Sequence, residues 1–473
     1  MAHADSVFLA SLTCVASVFR PCFGERPRKA IIAIPIGPSN SAGGVAPLES
    51  ISMKQSLVRG AVVVMGIVVG AITGDDAALA ADRADIVVSD AARKIHQEGF
   101  VFDGHNDLPW MVRTEAGSSF DQADLARPLG PRFHTDIARL RAGGVGAQFW
   151  SVYVPASTAK EGKALLQTLE QIQLVRTMVA RYPDVFEMAR TADDVIRIQK
   201  SGKIASLIGV EGGHCIEDSI ENLRRLHALG AGYLTLTHSD TLAWADAATD
   251  DARHGGLSPF GEEVVRELNR LGMLVDLSHV SDETMKDALR VSAAPVIYSH
   301  SSARAIADHP RNVPDDVLRL LKQNQGLVMI NFYPGFIHPE SARRRAKMFH
   351  VSRELRAKFK EDSEYKKAIK DWEKANPIQP GSLHDVCDHI DHVRKIAGID
   401  HIGLGSDFDG IPIVPRQLED VSTYPAITQE LLNRGYTAAE IHQIMSGNIL
   451  RIMRAAEKIS HQMEPKGTKN AKE

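Results

Sequence analysis

Two hydrophobic periods alternate along the chain from about residue 95 onward. Short runs rich in Val, Ile and aromatic residues have the composition of buried strands, and most segments between them place apolar residues three or four positions apart, as amphipathic helices do. The strand-like runs lie at about 101–107, 145–154, 204–211, 231–238, 273–279, 294–300, 326–333 and 401–408. The pattern therefore predicts eight β/α repeats.

Three of the helical segments also end in the way that helices commonly end. Their apolar faces comprise Ile216, Ile220, Leu223, Leu226 and Leu229; Val264, Val265, Leu268 and Leu271; and Val317, Leu318, Leu320 and Leu321. Gly230, Gly272 and Gly326 follow these faces, and glycine often closes a helix because it adopts left-handed backbone angles without strain. Repetition of strand, helix, glycine and strand predicts an α/β fold, the parallel (β/α)₈ barrel of the TIM type.

A charged segment precedes the last predicted strand. Between residues 338 and 380, many Lys, Arg and Glu residues with scattered aromatic residues predict surface helices. We interpret the segment as a solvated insertion, and a lid is the alternative. The nearby histidines fall on a predicted helix and on the start of the next strand, and we expect none of them to bind metal; they are His384, His389, His392 and His401.

The first eighty residues have the order of a processing signal. Residues 53–59 are a short basic start, residues 60–73 are an apolar run that is short for a bilayer span, and Ala78 and Ala80 form a small-x-small cleavage site. This order predicts a signal peptide over residues 53–80 and an exported protein, periplasmic or secreted. Residues 1–52 are then a non-native, disordered upstream extension, and an uncleaved membrane anchor is the alternative.

Composition narrows the choice of function. The chain is 44% hydrophobic and 24% charged, as globular proteins are, and its formal net charge of -4 offers no electrostatic footprint for nucleic acid. Of four cysteines, only Cys215 and Cys387 lie outside the leader, and no Cys-x-x-Cys pattern occurs. A disulfide between these two cysteines stays open.

Residues suited to binding divalent cations stand at the downstream ends of the predicted strands. Because a strand repeats every two residues, His105 and Asp107 point in the same direction. The other candidates at strand ends are Glu211, His238, His279, His300 and Asp407. Barrel enzymes build their active sites at this end of the strands, so the residues predict one shared site.

The chemistry of this set predicts two metal ions. Three imidazoles and two carboxylates supply the mixed nitrogen and oxygen ligation that suits zinc and related divalent ions. One bridging carboxylate would let five side chains hold both ions. Ions about 3.5–4 Å apart can share a water, lower its pKa and polarise the carbonyl that it attacks. Such a centre hydrolyses amides.

Six longer motifs resemble the membrane (renal) dipeptidase family of zinc metallopeptidases. They are FDGHNDLPW at 102–110, LTHS at 236–239, VDLSHVS at 275–281, YSHSSA at 298–303, RNVPDD at 311–316 and GSDFDG at 405–410. The resemblance extends from about residue 95 to residue 457, which bounds the predicted catalytic domain and leaves a polar tail at 458–473. It implies dipeptide substrates, tolerance of a D-residue at their carboxyl end, and a homodimer.

The resemblance also implies a division of the ligands. By position, His105 and Asp107 bind the first zinc, His279 and His300 bind the second, and Glu211 bridges the two. The nucleophile is then a hydroxide that bridges the metal ions.

Three further roles come from the same resemblance. His238 would stabilise the tetrahedral intermediate, Arg311 would bind the substrate carboxylate, and Asp407 would handle protons beside the bridging water. The planar guanidinium of Arg311 matches a free carboxylate well. We prefer Asp407 to Asp409 because Asp407 still belongs to the predicted strand, whereas Asp409 and Gly410 have the composition of a turn.

The chain departs from the animal members of this family at two places. Their disulfide cysteines are here Asp240 and Ala307, and their lipid-anchor signal is missing, so the chain resembles a bacterial exported version. Two alternatives stay open. One is another binuclear barrel hydrolase, acting on lactones, phosphoesters or nucleobases, and the other is a non-catalytic exported binding protein.

Overall fold

Eight parallel strands pair in a closed ring in the computed structural model of the chain, which describes residues 83–463. With one short additional strand, β3, the strands are β1 Val101–Asn106, β2 Val145–Tyr153, β3 Phe186–Met188, β4 Ile204–Glu211, β5 Ala231–Thr235, β6 Leu274–Asp276, β7 Ile297–Ser301, β8 Leu327–Ile330 and β9 Ile402–Leu404. The ring closes because β1 pairs with both β2 and β9, and β2 pairs with β4. This confirms the predicted (β/α)₈ barrel.

Helices connect the strands. They are α1 Asp90–Glu98, α2 Leu108–Glu115, α3 Ile137–Ala142, α4 Ser157–Lys160, α5 Ala164–Arg181, α6 Ala192–Lys200, α7 Ile220–Ala228, α8 Pro259–Leu271, α9 Asp282–Val291, α10 Asp315–Asn324, α11 Pro334–Ile337, α12 Pro339–Lys358, α13 Asp362–Ala375, α14 Leu383–Ile396, α15 Tyr424–Asn433, α16 Ala438–His442 and α17 Asn448–Met463. Short 3₁₀ and π segments occur at Gly213–Ile216, Ile399–His401, Val421–Thr423 and Gln443–Gly447. No helix among residues 83–463 is long and apolar enough to cross a bilayer.

The predicted helix ends are correct in part. Ser258 caps the start of helix α8, where its hydroxyl accepts from the Gly261 amide, and Gly272 caps the end with a left-handed φ of 73°. After α10, however, Gln325 rather than Gly326 takes the left-handed conformation, with φ 64°. Leu320 of that helix is exposed rather than part of the buried face. Ile216 lies in the 3₁₀ turn before α7, so the first predicted face begins one turn later.

The barrel interior is filled by large rings from strands β1, β2 and β5. Tyr233 on β5 packs against Phe149 on β2, with ring centroids 4.9 Å apart, and Phe149 stacks on Phe102 of β1 at 5.5 Å. Gly209 on β4 makes room for Tyr233, because a Cβ there would lie 2.0 Å from the tyrosine ring. This dense packing makes the barrel a rigid support for the residues at its carboxyl end.

Two further predictions concern the cysteines and the two ends of the chain. Cys215 and Cys387 are both buried and free, so the disulfide alternative is wrong. The predicted upstream extension and signal peptide, residues 1–80, lie outside the described residues, as does the tail from residue 464. The first part of the predicted tail continues helix α17 as far as Met463.

Candidate active site

The predicted site residues meet at the carboxyl ends of the barrel strands. His105, Glu211 and His300 belong to β1, β4 and β7, whereas Asp107, His238, His279 and Asp407 lie on the loops that follow strands. A cavity of about 830 Å³ opens above them. It is lined by Asp107, Glu211, His238, His279, His300, Arg311 and Asp407, and His105 is buried beside them.

Glu211 lies at the centre of this cluster. Its Oε1 is 3.0 Å from His279 Nε2 and 3.5 Å from His300 Nε2. Its Oε2 is 3.6 Å from His105 Nε2 and accepts a 3.2 Å hydrogen bond from the Ser151 hydroxyl. The two oxygens of one carboxylate therefore face different imidazoles.

Three groups in the described part of the chain could each hold a cation. They are His105, Glu211 and His300; Glu211, His238 and His279; and His105, Asp107 and Asp407. Glu211 belongs to two of them and His105 to two, so the groups form one connected cluster. His105 Nε2 also lies 3.3 Å from Asp107 Oδ2.

The electrostatics of this cluster fit a bound cation. Burial by itself disfavours a charged imidazole, but the carboxylates of Asp107 and Glu211 raise the pKa of His105 to about 10. Burial raises the pKa values of Glu211 and Asp407, and the positive charges of His105 and Arg311 offset this increase only in part. Among the described residues, His105 Nε2 and Asp107 Oδ1 are buried without a hydrogen-bond partner. Divalent cations would occupy such a position.

Neutral imidazoles complete the donor set. Burial lowers the pKa values of His279 and His300 well below the ordinary histidine value, so both rings are neutral at pH 7 and can offer a nitrogen lone pair. Their Nε2 atoms are 2.9 Å apart and both face Glu211. Neutral imidazoles and buried carboxylates are the donors that zinc prefers.

Hydrogen bonds behind the cluster fix the imidazole rings. Tyr233 Oη lies 2.9 Å from His105 Nδ1. The Ser299 hydroxyl lies 2.8 Å from His300 Nδ1 and donates to Asp276 Oδ2 at 2.6 Å. These contacts leave the Nε2 atoms free to face the cavity, which is how outer residues orient metal ligands.

We expect Tyr233→Phe to weaken metal binding roughly 10- to 100-fold, because His105 loses its Nδ1 partner. Competition with a chelator of known affinity measures this change. Tyr298→Phe is the matched control, since the Tyr298 hydroxyl is also buried but has no hydrogen-bond partner among the described residues. Equal metal affinity in the two variants would show that the Tyr233 hydroxyl does not support metal binding by His105.

Two residues of the cluster have strained backbone angles. His279 and Asp407 have φ values of 72° and 66°, which L-residues rarely adopt. Such strain is often retained at functional sites, where it aims a side chain. Gly410 is required nearby, because a Cβ there would lie 2.1 Å from Asp107 Oδ2 and 2.7 Å from Asp407 Oδ1.

Asp407 faces the cavity, although the reason for preferring it was wrong. Strand β9 ends at Leu404, so Asp407 is a loop residue like Asp409. The two carboxylates differ in their surroundings. Asp407 Oδ2 accepts a 2.9 Å hydrogen bond from the Asn331 amide, whereas Asp409 Oδ1 accepts from the His134 backbone amide at 2.7 Å.

Arg311 is a buried cation at the edge of the same cavity. It is 2% exposed, and burial lowers the pKa of its guanidinium to about 10. Its Nη atoms lie 3.3 Å from Ser301 Oγ and 3.4 Å from the His300 carbonyl, and Nε has no partner. Among the described residues, no carboxylate lies within ion-pair distance. An anionic ligand would satisfy this group.

His238 is the most exposed imidazole of the cluster, at 18% for its side chain. Burial lowers its pKa to about 3. The Ser239 hydroxyl lies 2.6 Å from Nδ1, and Nε2 lies 3.6 Å from Glu211 Oε1. The ring packs between Tyr153 and His279, with centroid distances of 4.8 and 4.3 Å. A ring held in this way presents Nε2 towards the cavity.

Several residues that contact the site residues were not identified from the sequence. Tyr153 and Asn331 stand at or after the ends of β2 and β8, so the strand-end position that marked the other residues could have found them. Tyr233 lies within a strand and has no such signal. The histidines expected not to bind metal lie outside the cluster; His389, for example, contacts the Ala303 amide and the Ile337 carbonyl.

The prediction that the charged insertion is solvated is confirmed only in part. Its helices α12 and α13 are largely exposed, as predicted, but one side of them forms part of the cavity wall. The insertion residues that line the cavity are Arg344, Arg345, Met348, Phe349, Trp372, Glu373, Asn376, Pro377 and Ile378.

The barrel and its cluster of imidazoles and carboxylates are typical of metal-dependent hydrolases. Comparison with known proteins narrows this class. The sequence profile of the membrane dipeptidase family (peptidase family M19) matches residues 89–467. The chain belongs to this family and is a metal-dependent dipeptidase, a hydrolase of peptide bonds. This membership does not favour the alternatives of another barrel hydrolase or a binding protein.

Two curated relatives are dipeptidases. The chain is 42% identical over 367 residues to dipeptidase tcpJ of Claviceps purpurea (strain 20.1), a match that covers 76% of this chain and 77% of the relative. It is 40% identical over 362 residues to dipeptidase 3 of Mus musculus, covering 76% of this chain and 64% of the mouse protein.

Solved structures share the fold. The probable dipeptidase PvdM of Pseudomonas aeruginosa aligns with a TM-score of 0.68 and 24% identity, over 78% of this chain and 98% of that protein. A metallopeptidase of Rhodobacter sphaeroides, liganded with a phosphinate mimic of the dipeptide L-Ala-D-Ala, aligns with a TM-score of 0.61 and 23% identity, over 76% of this chain and 99% of that protein.

Proposed function

We propose that this dipeptidase uses two divalent cations, with zinc as the expected ion, and that Glu211 binds both. The observation that supports two ions is the position of Glu211, whose Oε1 faces His279 and His300 while its Oε2 faces His105. His105 and Asp107 would hold one cation, and His279 and His300 the other. The bound cations would supply a water nucleophile of lowered pKa and polarise the scissile carbonyl.

Asp407 is proposed to move the proton during hydrolysis. Its carboxylate faces the cavity beside Asp107, and the Asn331 amide fixes one of its oxygens. The other oxygen is then directed to the reacting groups. A carboxylate placed in this way can accept a proton from the attacking water and deliver it to the leaving amine.

His238 is proposed to stabilise the oxyanion that forms on the substrate carbonyl. The imidazole is held by Ser239 and by the Tyr153 ring, so it needs no reorganisation when charge develops. A donor fixed before the reaction is the most effective kind for this task.

Arg311 is proposed to bind the free carboxylate of the substrate. It is a buried guanidinium without a carboxylate partner among residues 83–463, and it lines the cavity that contains the metal ligands. A substrate longer than a dipeptide would misplace its carboxylate relative to Arg311 and leave a buried charge unpaired, which favours dipeptides. The family resemblance leads us to propose tolerance of a D-residue at the carboxyl position. Export and a homodimer stay predictions of the sequence.

We expect Arg311→Ala to lower kcat/KM for a dipeptide roughly 30- to several-thousand-fold, because a charge-assisted contact to a buried partner is lost. Metal content should not change. Amidating the dipeptide carboxylate should reduce hydrolysis by the wild type about as much. In the Arg311→Ala variant the amide should add little further loss, because both changes remove the same interaction.

Two results would remove Arg311 from this role. In one, the wild type cleaves the amidated dipeptide as fast as the free acid. In the other, the two losses simply add in the variant. Arg311→Lys offers a further check, since it keeps the charge but not the planar fork of donors, and should recover only part of the loss.

A further inference from the structure

Besides Arg311, the cavity wall includes two arginines that the proposed mechanism does not use, Arg344 and Arg345. Arg345 stands on α12 of the charged insertion and lines the cavity together with the metal ligands and Arg311. Its side chain is half-buried, and its Nε is buried without a hydrogen-bond partner among the described residues. Within residues 83–463, the guanidinium's only hydrogen-bond acceptor is the Met348 thioether, at 2.7 Å from Nη1, and a thioether is a weak acceptor.

Three other arginines of α12 have carboxylate partners, whereas the exposed Arg343 has none among the described residues. Arg344 pairs with Glu340, Arg353 with Asp251 and Arg356 with Asp362. Within residues 83–463, no carboxylate lies within ion-pair distance of Arg345. The Arg345 guanidinium therefore has N–H donors that a ligand in the cavity could bind.

Aromatic rings hold Arg345 in place and connect it to Arg311. The Arg345 guanidinium carbon lies 5.6 Å from the Phe349 ring centroid and 6.0 Å from the Tyr333 centroid. Tyr333 packs edge to face on Phe336 at 4.9 Å, and the Arg311 guanidinium lies over Phe336 at 5.1 Å. The two arginines thus flank one pair of rings.

Both guanidiniums also act on the same neighbour. Burial is the largest cause of the lowered pKa of His309, and the positive charges of Arg311 and Arg345 lower it further. The His309 ring contacts Phe336 and Phe349. The two positive charges therefore lie on one side of the cavity. A ligand that carries two carboxylates can contact both.

We propose that Arg345 binds a carboxylate on the side chain of the dipeptide's carboxy-terminal residue, so that the enzyme prefers dipeptides ending in an acidic residue. This inference rests on the proposed role of Arg311. The residue whose main-chain carboxylate binds Arg311 is the carboxy-terminal one, and from Arg311 the rings of Phe336 and Tyr333 lead to Arg345. The carboxylates of Asp407 and Glu373 also line this cavity and act on Tyr333, but within residues 83–463 neither lies within ion-pair distance of Arg345.

Matched dipeptides that differ only in charge test this proposal. For the wild type, kcat/KM should be roughly 10- to 100-fold higher for Ala-Asp than for Ala-Asn, the effect of one charge-assisted hydrogen-bonding contact. Arg345→Met should bring the ratio close to one, and Arg345→Glu should favour Ala-Lys over Ala-Asp. Arg343→Met is the control, because Arg343 is exposed on the same helix and does not line the cavity; it should keep the wild-type ratio.

The inference is overturned if the wild type shows no preference for Ala-Asp, or if Arg345→Met keeps the preference. A preference for Asp-Ala over Asn-Ala, with none for Ala-Asp, also overturns it, because the carboxylate would then belong to the amino-terminal residue. These outcomes leave hydrolysis of neutral dipeptides intact. Failure to cleave any dipeptide would instead contradict the proposed function, and the inference with it.

Discussion

Glu211→Ala is expected to remove both metal ions together and to lower turnover by at least roughly 10³-fold, which corresponds to the loss of several kcal/mol of transition-state stabilisation. The reason is that in the proposed centre one carboxylate would serve both ions, since its two oxygens face different imidazoles. His279→Ala should mainly weaken one ion. Elemental analysis of each purified variant, together with dipeptide hydrolysis, measures both effects.

Glu267→Ala is the matched control for this variant. Glu267 is also a nearly buried glutamate, but it pairs with Arg224 and Arg270 away from the cavity. Its loss should reduce stability without changing the metal content per folded chain. If Glu211→Ala retained one ion at full occupancy, Glu211 would not be a ligand common to both.

Asp407→Asn should reduce turnover roughly 10²- to 10⁴-fold while the metal ions stay bound. The substitution preserves size and can preserve the hydrogen bond from Asn331, but it removes the base. Steady-state kinetics with parallel metal analysis tests this expectation. Asp409→Asn should cost less than about 10-fold, because an asparagine oxygen can still accept from the His134 amide. Nearly full turnover in Asp407→Asn would move proton transfer to another group.

The strands and the clustering of the candidate ligands were predicted well because both depend on local patterns. Each predicted strand run overlaps one barrel strand, since continuous apolar runs mark strands that are buried on both faces. The position of ligand-type residues at the ends of these runs then placed His105, Glu211 and His300 on one edge of the barrel. Parallel strands carry their carboxyl ends to the same edge, so sequence order alone brought these residues together.

Features that depend on tertiary contacts were missed. Strand β9 ends at Leu404 because the chain turns into a strained loop, and nothing in the local pattern distinguishes Asp407 from Asp409 in that loop. Tyr233 looks like an ordinary core residue, and only its contact with His105 across the barrel identifies it. The charged insertion has the composition of a solvated surface, and its contribution to the cavity wall depends on how α12 and α13 fold back.

The most direct test of the two-ion account is a metal titration of the protein after chelation. Zinc would be added back in steps while bound metal and dipeptide hydrolysis are measured on the same sample. We expect two bound ions per chain at full activity, and loss of activity on chelation. Full activity with one ion per chain, or activity that chelation leaves unchanged, would contradict it.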